Sequence, residues 1–549
     1  MKHLAIVLAA LSATVPAAVA APMPCEGLSA GALGLSGVTL TSVEAVPAGD
    51  ESPVAQCRVR GITAERVGAD GRNYALRFEL ALPDEWNGDF VHQFNGGSDG
   101  EVKPATGGLG AGTGDTTPLA RGYAVVSSDA GHDGTANPEA GLAGGTRFGL
   151  DPEARAMYGY KAVATLDPLA RQIVGAYYGE EIGHAYGIGC SNGGRHAMVA
   201  AMRMPDAFDG LLAGAPGFNL PRAGLQHALD VQTLGAVTGD LTTAFSPDDL
   251  ALVANGIRAA CDGLDGLEDG LVADTAACQA TFDIGSLQCD DGSADGCLTA
   301  GQVAALRTIH AGTDGAGAPY YSDWPWDTGI ESGGWRIWKL NSPIEPWGFM
   351  PIIAVMGAGS LAQVFTTPPT EVAGDPASLV QFLRDFDLSA RAGDIYATAA
   401  GYPESGMAFM APPGADNPVL AEFRDAGAKF IVFHGVSDPV FSANDTAGWY
   451  GRLDANNDGR ARDFVRYYPV PGMVHCSGGP ATDGFDLFAG LVAWVEHGDA
   501  PEAIVAVGRA DNEELPDALK GAERLLCPAP QVARYVGGDT ALAGSFACR

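Results

Sequence analysis

The stretch Gly189-Cys190-Ser191-Asn192-Gly193 sets a serine between two glycines, the pattern of a nucleophile elbow. In such an elbow a strand ends, the serine occupies a sharp turn and a helix follows at once. The run 185–188 (AYGI) predicts the strand, and 195–204 (RHAMVAAMRM) predicts a helix that Pro205 ends. The sequence therefore predicts an α/β fold with Ser191 as the nucleophile.

Two other serines share the Gly-x-Ser-x-Gly pattern, as expected by chance in a chain with 76 glycines among 549 residues. Ser29 lies in a stretch rich in glycine and alanine. Ser98 follows a strand-like run, 89–94, but a glycine-rich loop comes after it instead of a helix. A small residue in a tight turn is the simpler interpretation of both, and also the alternative to weigh against Ser191.

Two cysteines connect this serine with a histidine far along the chain. Cys190 precedes Ser191, and Cys476 follows His475. A disulfide between them would bring their Cα atoms to about 5.5 Å. A nucleophile and its general base need such proximity. His475, which follows the strand-like run 464–469 (FVRYYP), is therefore the predicted base.

The carboxylate that would orient this histidine is predicted at Asp438. The run 429–433 (KFIVF) reads as a buried strand, and Asp438 lies just beyond its end. A carboxylate there can hold an imidazole and stabilise its charged form, and it falls between serine and histidine in chain order. A turn aspartate before proline is the alternative. His434 is a rival base, although a structural hydrogen bond suits its position better.

Cys-Ser, then Asp, then His-Cys, in this order, resembles the tannase and feruloyl esterase family of α/β-hydrolases. The resemblance covers nearly the whole mature chain, and its further matching stretches are 85–88 (EWNG), 148–152 (FGLDP), 213–217 (AGAPG) and 473–480 (MVHCSGGP). It implies a serine carboxylic-ester hydrolase that acts on small aromatic esters of the feruloyl, galloyl or terephthaloyl type. The implied fold is a doubly wound, mainly parallel sheet with a large inserted lid domain.

The resemblance also favours particular oxyanion donors and disulfide pairs where the sequence alone leaves the choice open. It makes Gly97 the preferred oxyanion donor from the loop after an early strand, with Gly96 as the alternative, beside the amide of Asn192. It favours five disulfides, which are Cys25–Cys57, Cys190–Cys476, Cys261–Cys278, Cys289–Cys297 and Cys527–Cys548.

The order of the motifs suggests the domain organisation. Residues 1–20 read as a signal peptide, with a lysine, an apolar core and a small-residue end. The catalytic domain is predicted at 21–218 and 417–549, and the lid at 219–416, where several tryptophans and four cysteines lie. An even number of cysteines suits a secreted or periplasmic protein.

The stretch 261–271 (CDGLDGLEDGL) predicts a structural calcium site within the lid. Calcium takes six to eight oxygen ligands, including backbone carbonyls. Carboxylates of Asp262, Asp265 and Asp269 and carbonyls of Leu267 and Leu271 supply such ligands. A solvated acidic turn is the alternative.

Composition and charge limit the kinds of molecule that we expect the protein to bind. A net charge of −34 repels nucleic acid and anionic membranes, so we expect neither as a partner. The aromatic lid suggests a flat, apolar acyl group, with Trp326 and Arg336 as substrate contacts, the arginine gripping a carboxylate. An arginine stacked on a lid tryptophan is the structural alternative. The sequence gives no indication of the oligomeric state.

Two other functions remain open on this sequence. One is a different acyl hydrolase, such as a lipase or a peptidase. The other is a non-catalytic, calcium-dependent binding protein on a hydrolase scaffold, against which the intact serine, aspartate and histidine argue.

Overall fold

The computed structural model describes residues 23–290, 296–313, 317 and 319–549. The predicted signal peptide, 1–20, lies outside the described residues. No helix within the described ranges is long and apolar enough to cross a membrane.

A nine-stranded sheet with the order β1-β2-β3-β5-β4-β6-β7-β8-β9 forms the centre of the molecule. The six strands from β5 to β9 in this order run parallel, while β1, β2 and β3 extend the sheet in antiparallel fashion. Two further antiparallel pairs, β10–β11 and β12–β13, lie near the C-terminus. The strands are β1 Val38–Val46, β2 Gln56–Val67, β3 Asn73–Pro83, β4 Phe90–Phe94, β5 Ala124–Ser128, β6 Ala185–Cys190, β7 Gly210–Gly214, β8 Lys429–Gly435, β9 Val465–Val470, β10 Ile504–Val507, β11 Glu523–Leu526, β12 Ala533–Tyr535 and β13 Phe546–Cys548.

Helices cover both faces of this sheet. Alternate residues of β8 belong to two separate apolar clusters, Phe430 and Val432 to one and Ile431 and Phe433 to the other, as the two-residue period of a strand requires. The helices are α1 Pro152–Ala156, α2 Ala162–Tyr178, α3 Asn192–Arg203, α4 Leu220–Thr238, α5 Pro247–Cys261, α6 Thr275–Thr281, α7 Ala300–Ala311, α8 Gly333–Lys339, α9 Ile352–Gly359, α10 Pro376–Asp385, α11 Leu388–Arg391, α12 Gly406–Met410, α13 Ala421–Asp425, α14 Ala443–Asn456 and α15 Leu487–His497.

Helices α2, α3 and α14 pack with the first cluster and α15 with the second. The predicted fold class, a mainly parallel sheet wound on both faces, is confirmed. Such a fold exposes the carboxyl ends of its parallel strands along one edge, where functional side chains collect.

The segment between β7 and β8 is a long, largely helical insertion that carries α4 to α13. It contains the whole of the predicted lid, 219–416, whose boundaries remain a prediction. Helices α8 and α9 of this insertion contribute walls of the cavity beside Ser191. The insertion therefore shapes the site, whereas the sheet positions its reactive groups.

Five disulfides join all ten cysteines in the pairing that the resemblance favoured. Their Cα–Cα distances run from 5.1 to 6.1 Å, the usual range for a disulfide. The bridge between Cys190 and Cys476 spans 286 residues and joins the end of β6 to the loop after β9.

Candidate active site

Ser191 occupies the turn between β6 and α3, with φ 66° and ψ −125°. This backbone conformation is unfavourable for a residue with a side chain, and functional turns often hold such a residue. The turn is packed so closely against its neighbours that it also requires glycines. A Cβ at Gly193 would lie 2.3 Å from the Phe94 carbonyl oxygen. The elbow predicted from the sequence is thus the local structure of this segment.

The structure brings Ser191, His475 and Asp438 into one hydrogen-bonded chain. His475 Nε2 lies 2.8 Å from Ser191 Oγ, and His475 Nδ1 lies 2.7 Å from Asp438 Oδ2. The first distance suits proton transfer from the hydroxyl to the imidazole, and the second suits a carboxylate that fixes the ring orientation.

Asp438 is fully buried and held in its ionised form. Burial alone would raise its pKa, but the charge of His475 and hydrogen bonds with His434 and His475 outweigh it, so the pKa lies well below its ordinary value. Its Oδ1 also accepts the amides of Val440 and Phe441 at 2.8 and 3.0 Å. A carboxylate bound in this way stays negative and can stabilise an imidazolium.

His434 contacts Asp438 and is not brought to Ser191. Its Nε2 lies 3.3 Å from Asp438 Oδ2, and its Nδ1 lies 2.9 Å from Thr446 Oγ1. The ring is completely buried. This supports the structural role expected for His434 and leaves His475 as the histidine at the serine.

Two aromatic rings and a disulfide fix the position of His475. Trp338 and Phe441 make T-shaped contacts with its imidazole, with ring centroids 5.1 and 5.4 Å away. The neighbouring Cys476 adopts φ 64° and is bonded to Cys190. The histidine loop is therefore restrained both by packing and by a covalent link to the end of β6.

Gly97 and Asn192 both line the space beside Ser191. Asn192 begins α3, where amides lack helical acceptors. Within the ranges that the structure describes, neither backbone amide donates to a protein acceptor. The side chain of Asn192 joins the two segments, because its Nδ2 donates to Asp99 Oδ2 at 2.8 Å. The pair thus provides two amides at the nucleophile, which is what an oxyanion hole requires.

Ser191 lies between two spaces of different shape. The first, here named the closed cavity because it is the less open of the two, has an empty volume of about 480 Å³, part of which is open to solvent. The second, the open cleft, has an empty volume of about 1300 Å³. His475 and Cys476 line the open cleft, and five residues line both spaces: Gly97, Ser191, Trp338, Ile352 and Met356. The remaining walls of the closed cavity are mostly apolar or aromatic and comprise Ser98, Tyr158, Asn192, Leu220, His227, Gly357, Ser360, Phe365, Val440 and Phe441.

The expected substrate contacts Arg336 and Trp326 are not brought to either space. Arg336 Nη1 donates to the Phe245 carbonyl at 3.0 Å. Trp326 stacks on His310 inside the lid, with ring centroids 3.5 Å apart. Trp338, two positions after Arg336 on α8, is instead the residue that contacts His475. Positions i and i+2 of a helix face different directions, so a correct helix prediction would have shown that only one of the two could face the site.

The acidic loop 261–271 folds as a turn closed by the Cys261–Cys278 bridge. The Asp262 carboxylate accepts the amides of Asp269 and Gly270, both at 3.0 Å, and Asp269 pairs with Arg524. Asp265 is buried, and its Oδ1 accepts the amide of Leu267 at 3.1 Å.

Asp265, Asp269 and Leu271 line a small neighbouring cavity. Burial, with the charges of Asp269 and Asp262, raises the pKa of Asp265 to about 6. Within the described ranges, one group of three side chains has its potential ligand atoms within 4.8 Å of one another. It consists of Asp89, His184 and Glu496, which lie near the opposite ends of the strands. The three loop aspartates are therefore neighbours but are not drawn into a cage.

The sheet order, the elbow at the end of β6 and the acid and histidine after β8 and β9 define an α/β-hydrolase. The profile described as "Tannase and feruloyl esterase" matches residues 57–549, and the chain belongs to that family of carboxylic-ester hydrolases.

Curated relatives match most of the chain. Mono(2-hydroxyethyl) terephthalate hydrolase of Piscinibacter sakaiensis is 39% identical over 523 residues, which are 90% of this chain and 84% of that protein. A probable feruloyl esterase B-2 of Aspergillus fumigatus is 26% identical, over 86% of this chain and 85% of its own.

Solved structures share the fold at low identity. Feruloyl esterase B of Aspergillus oryzae superposes with a TM-score of 0.75 at 22% identity, covering 96% of this chain and 99% of its own. Tannin acyl hydrolase of Aspergillus niger gives a TM-score of 0.63 at 21% identity, with coverages of 96% and 93%.

Proposed function

We propose that the protein is a secreted serine esterase that hydrolyses small aromatic esters through an acyl-enzyme. The observation that carries the proposal is the Ser191–His475–Asp438 chain, set where an aromatic cavity meets an open cleft. The names of the relatives, a terephthalate monoester hydrolase and feruloyl esterases, support an aromatic acyl group.

In the acylation half-reaction, His475 Nε2 takes the proton of Ser191 Oγ as the oxygen attacks the ester carbonyl carbon. The carbonyl oxygen becomes negative and accepts the amides of Gly97 and Asn192. Asp438 stabilises the imidazolium that forms. The intermediate then collapses, the C–O bond to the alcohol breaks, and His475 returns its proton to the departing alkoxide.

In deacylation, His475 takes a proton from water, and the resulting hydroxide attacks the acyl carbon of the Ser191 ester. The same two amides hold the second oxyanion. Collapse breaks the bond to Ser191 Oγ, which recovers its proton from His475, and the carboxylic acid is released.

The position of His475 indicates which of the two spaces would hold the alcohol and which the acyl group of the ester. The leaving alcohol receives its proton from His475, and this histidine lines the open cleft. The alcohol therefore belongs to the open cleft and the acyl group to the closed cavity. Trp338, Phe365 and Phe441 in that cavity suit a flat ring.

The proposal includes a structural calcium ion in the lid and an oxidising compartment. Calcium prefers oxygen ligands, and carboxylates of Asp262, Asp265 and Asp269 with carbonyls of Leu267 and Leu271 offer them. The buried Asp265, with acidic neighbours, fits a site that a cation would stabilise. Such an ion would supply charge compensation and loop order, not chemistry. Pairing of all ten cysteines supports secretion.

The decisive test replaces Ser191 by alanine and measures turnover of p-nitrophenyl acetate and methyl ferulate. We expect at least a ~10³-fold loss of kcat with an unchanged melting temperature, because only the nucleophile is removed. Ser29→Ala is the matched control, since this exposed serine lies in the same sequence pattern. Retention of native activity by Ser191→Ala would disprove the assignment.

A further inference from the structure

Asp327 is a buried carboxyl group of the insertion between β7 and β8 that the proposed reaction does not use. It caps the short helical turn Thr328–Glu331, where its Oδ1 accepts the amide of Thr328 at 2.9 Å, and only 3% of its surface is exposed. Burial raises its pKa, although hydrogen bonds and the charge of Arg258 lower it. Arg258 is itself paired with Glu331. Burying a carboxyl group is costly unless hydrogen bonds satisfy it, so its partners indicate what it does.

The second carboxylate oxygen of Asp327 joins the two loops that carry Asp438 and His475. This Oδ2 accepts the Ser437 hydroxyl at 2.8 Å and the Gly472 amide at 2.7 Å. Ser437 directly precedes Asp438, and Gly472 lies three residues before His475. One oxygen atom of the insertion therefore contacts both of the loops whose side chains meet in the hydrogen bond at Asp438 Oδ2.

Further contacts between the same three segments surround this oxygen. The Ser437 hydroxyl accepts the amide of Gly329 at 2.9 Å, and the Ser437 amide donates to the Met473 carbonyl at 3.1 Å. Trp324 Nε1 donates to the Asp438 carbonyl at 3.0 Å. The packing is tight, since a Cβ at Gly329 would lie 2.5 Å from the Ser437 side chain. The insertion and the two loops thus form one hydrogen-bonded unit.

Asp327 and the Cys190–Cys476 bridge restrain the histidine loop on opposite sides of His475. Cys476 follows His475 and is attached to the end of β6, whereas Gly472 precedes it and is attached to the insertion. A loop held at one point can still turn about that point, so the second attachment fixes the direction of the ring. The position of His475 therefore depends on the insertion as well as on the sheet.

We propose that Asp327 is a positioning residue that sets the placement of His475 relative to Asp438 and Ser191, so that the insertion determines the geometry of the proposed triad as well as the cavity walls. The inference rests on the proposed function, because it concerns the roles assigned there to these residues. Asp327 lines neither the closed cavity nor the open cleft. It therefore acts through the two loops and not on the substrate.

The test compares two esters with the same acyl group and different leaving groups, methyl cinnamate and p-nitrophenyl cinnamate. Methoxide needs a proton from His475 to leave, whereas p-nitrophenoxide is stable enough to leave without one. In Asp327→Ala we expect kcat/KM, which reports acylation, to fall about 30-fold on the methyl ester and about 5-fold on the p-nitrophenyl ester. On the methyl ester the loss is expected in kcat, with KM within about 2-fold, since the substrate contacts remain.

Two milder variants keep the test decisive where Asp327→Ala does not fold. Asp327→Asn is expected to lose less on the methyl ester than Asp327→Ala, because its one oxygen can still accept from Ser437 and Gly472. Ser437→Ala removes one of the two bonds to Oδ2 and is expected to lose about 5-fold on the methyl ester and less than about 2-fold on the p-nitrophenyl ester. Tyr402→Phe is the control, because Tyr402 joins the insertion to the Leu150 carbonyl at 2.7 Å and lines neither space.

Equal losses on the two esters in Asp327→Ala, or in Ser437→Ala where the former does not fold, would overturn the proposal, since a general loss of active protein lowers both alike. Native kcat/KM on both esters in the same variant would also overturn it, and so would an Asp327→Asn variant no more active than Asp327→Ala. Failure of the proposed function has a different signature: the native protein hydrolyses neither ester, or Ser191→Ala is as active as the native protein.

Discussion

At the scale of single residues, the side chain of Asn192 connects the two halves of the proposed oxyanion hole. It belongs to the helix after the nucleophile, and its amide group donates to Asp99 in the loop that carries Gly97. Tyr158 supports the same loop through a 3.3 Å hydrogen bond to the Gly97 carbonyl. The spacing between the two proposed oxyanion donors therefore depends on side chains as well as on the backbone.

Replacing Asn192 by alanine is expected to lower kcat about 10-fold. The backbone donor remains, but loss of the contact to Asp99 lets the Gly97 loop shift. A small displacement of a group that contacts the reacting atoms lowers the rate strongly. Steady-state kinetics on p-nitrophenyl acetate measure the effect. Asn444→Ala is the control, since Asn444 donates to Asp323 in an exposed pair. Equal kinetics for both variants would show that the hydrogen bond between Asn192 and Asp99 has no role in catalysis.

The three residues that the structure brings together could be picked out from the sequence because each carries a local signature. Ser191 lies in an elbow, Asp438 follows a strand, and His475 adjoins a cysteine. The cavity walls have no such signature. Ile352 and Met356 reach the site only through the packing of an inserted helix, and Arg336 points away because of helical periodicity. Distant packing of this kind leaves no pattern in a single sequence.

At the scale of structural elements, the strands beside the site begin and end close to where their sequence patterns do. The expected strands at 185–188 and 429–433 are extended in the structure to Cys190 and Gly435. The helix expected from 195 begins three residues earlier, at Asn192. Glycines at the elbow weakened the helical pattern there, although close packing requires them, Gly193 against β4 and Gly194 against the end of β7.

Removal of the Cys190–Cys476 bridge by a double alanine substitution is expected to lower kcat about 10²-fold. The bridge holds the His475 loop against the end of β6, so its loss is expected to misplace His475, the proposed general base. Enzyme kinetics and thermal melting are measured together. The Cys25–Cys57 double alanine variant, which loses a bridge far along the sequence from the triad, is expected to melt earlier but keep its kcat. An unchanged kcat in the first variant would refute the positioning role.

Chelation of calcium is expected to lower the melting temperature and leave the initial kcat nearly unchanged. A ligand bound only by the folded state stabilises it by mass action, by ~3 kcal/mol at 100 times its Kd. Asp265→Asn is expected to melt at the chelated temperature with or without chelator. Asp283→Asn, at an exposed lid aspartate, serves as the control. Identical melting curves, with no calcium found by elemental analysis, would exclude the ion.

At the scale of the whole molecule, the many carboxyl groups make the stability of the fold depend on pH. The net charge is −34, and some aspartates are buried. Burial raises the pKa of Asp129 and of Asp445 to about 6, despite the hydrogen bonds that lower it. A carboxyl with a raised folded-state pKa stabilises the fold most below its unfolded pKa of about 4, and this contribution is lost as pH rises through about 6.

Asp445→Asn is therefore expected to raise the melting temperature relative to the native protein at pH 8 and to change it much less at pH 5, because only at pH 8 does the variant remove a buried charge. Buried histidines act on the native protein in the opposite direction, since burial lowers the pKa of His132 to about 4 and that of His310 to about 3. The variant is therefore compared with the native protein at each pH by calorimetry. An equal change of the melting temperature at both pH values would contradict this account.

The unequal shapes of the two spaces at Ser191 bear on the order of events in turnover. In the proposed mechanism the alcohol departs through the open cleft while the acyl group stays covalently bound in the narrower space, which is the sequence of a ping-pong reaction. The vacated cleft is then open to any nucleophile that His475 can deprotonate. Added alcohols would compete there with water for the acyl-enzyme, so the same site would transfer its acyl group to a second alcohol and make new esters.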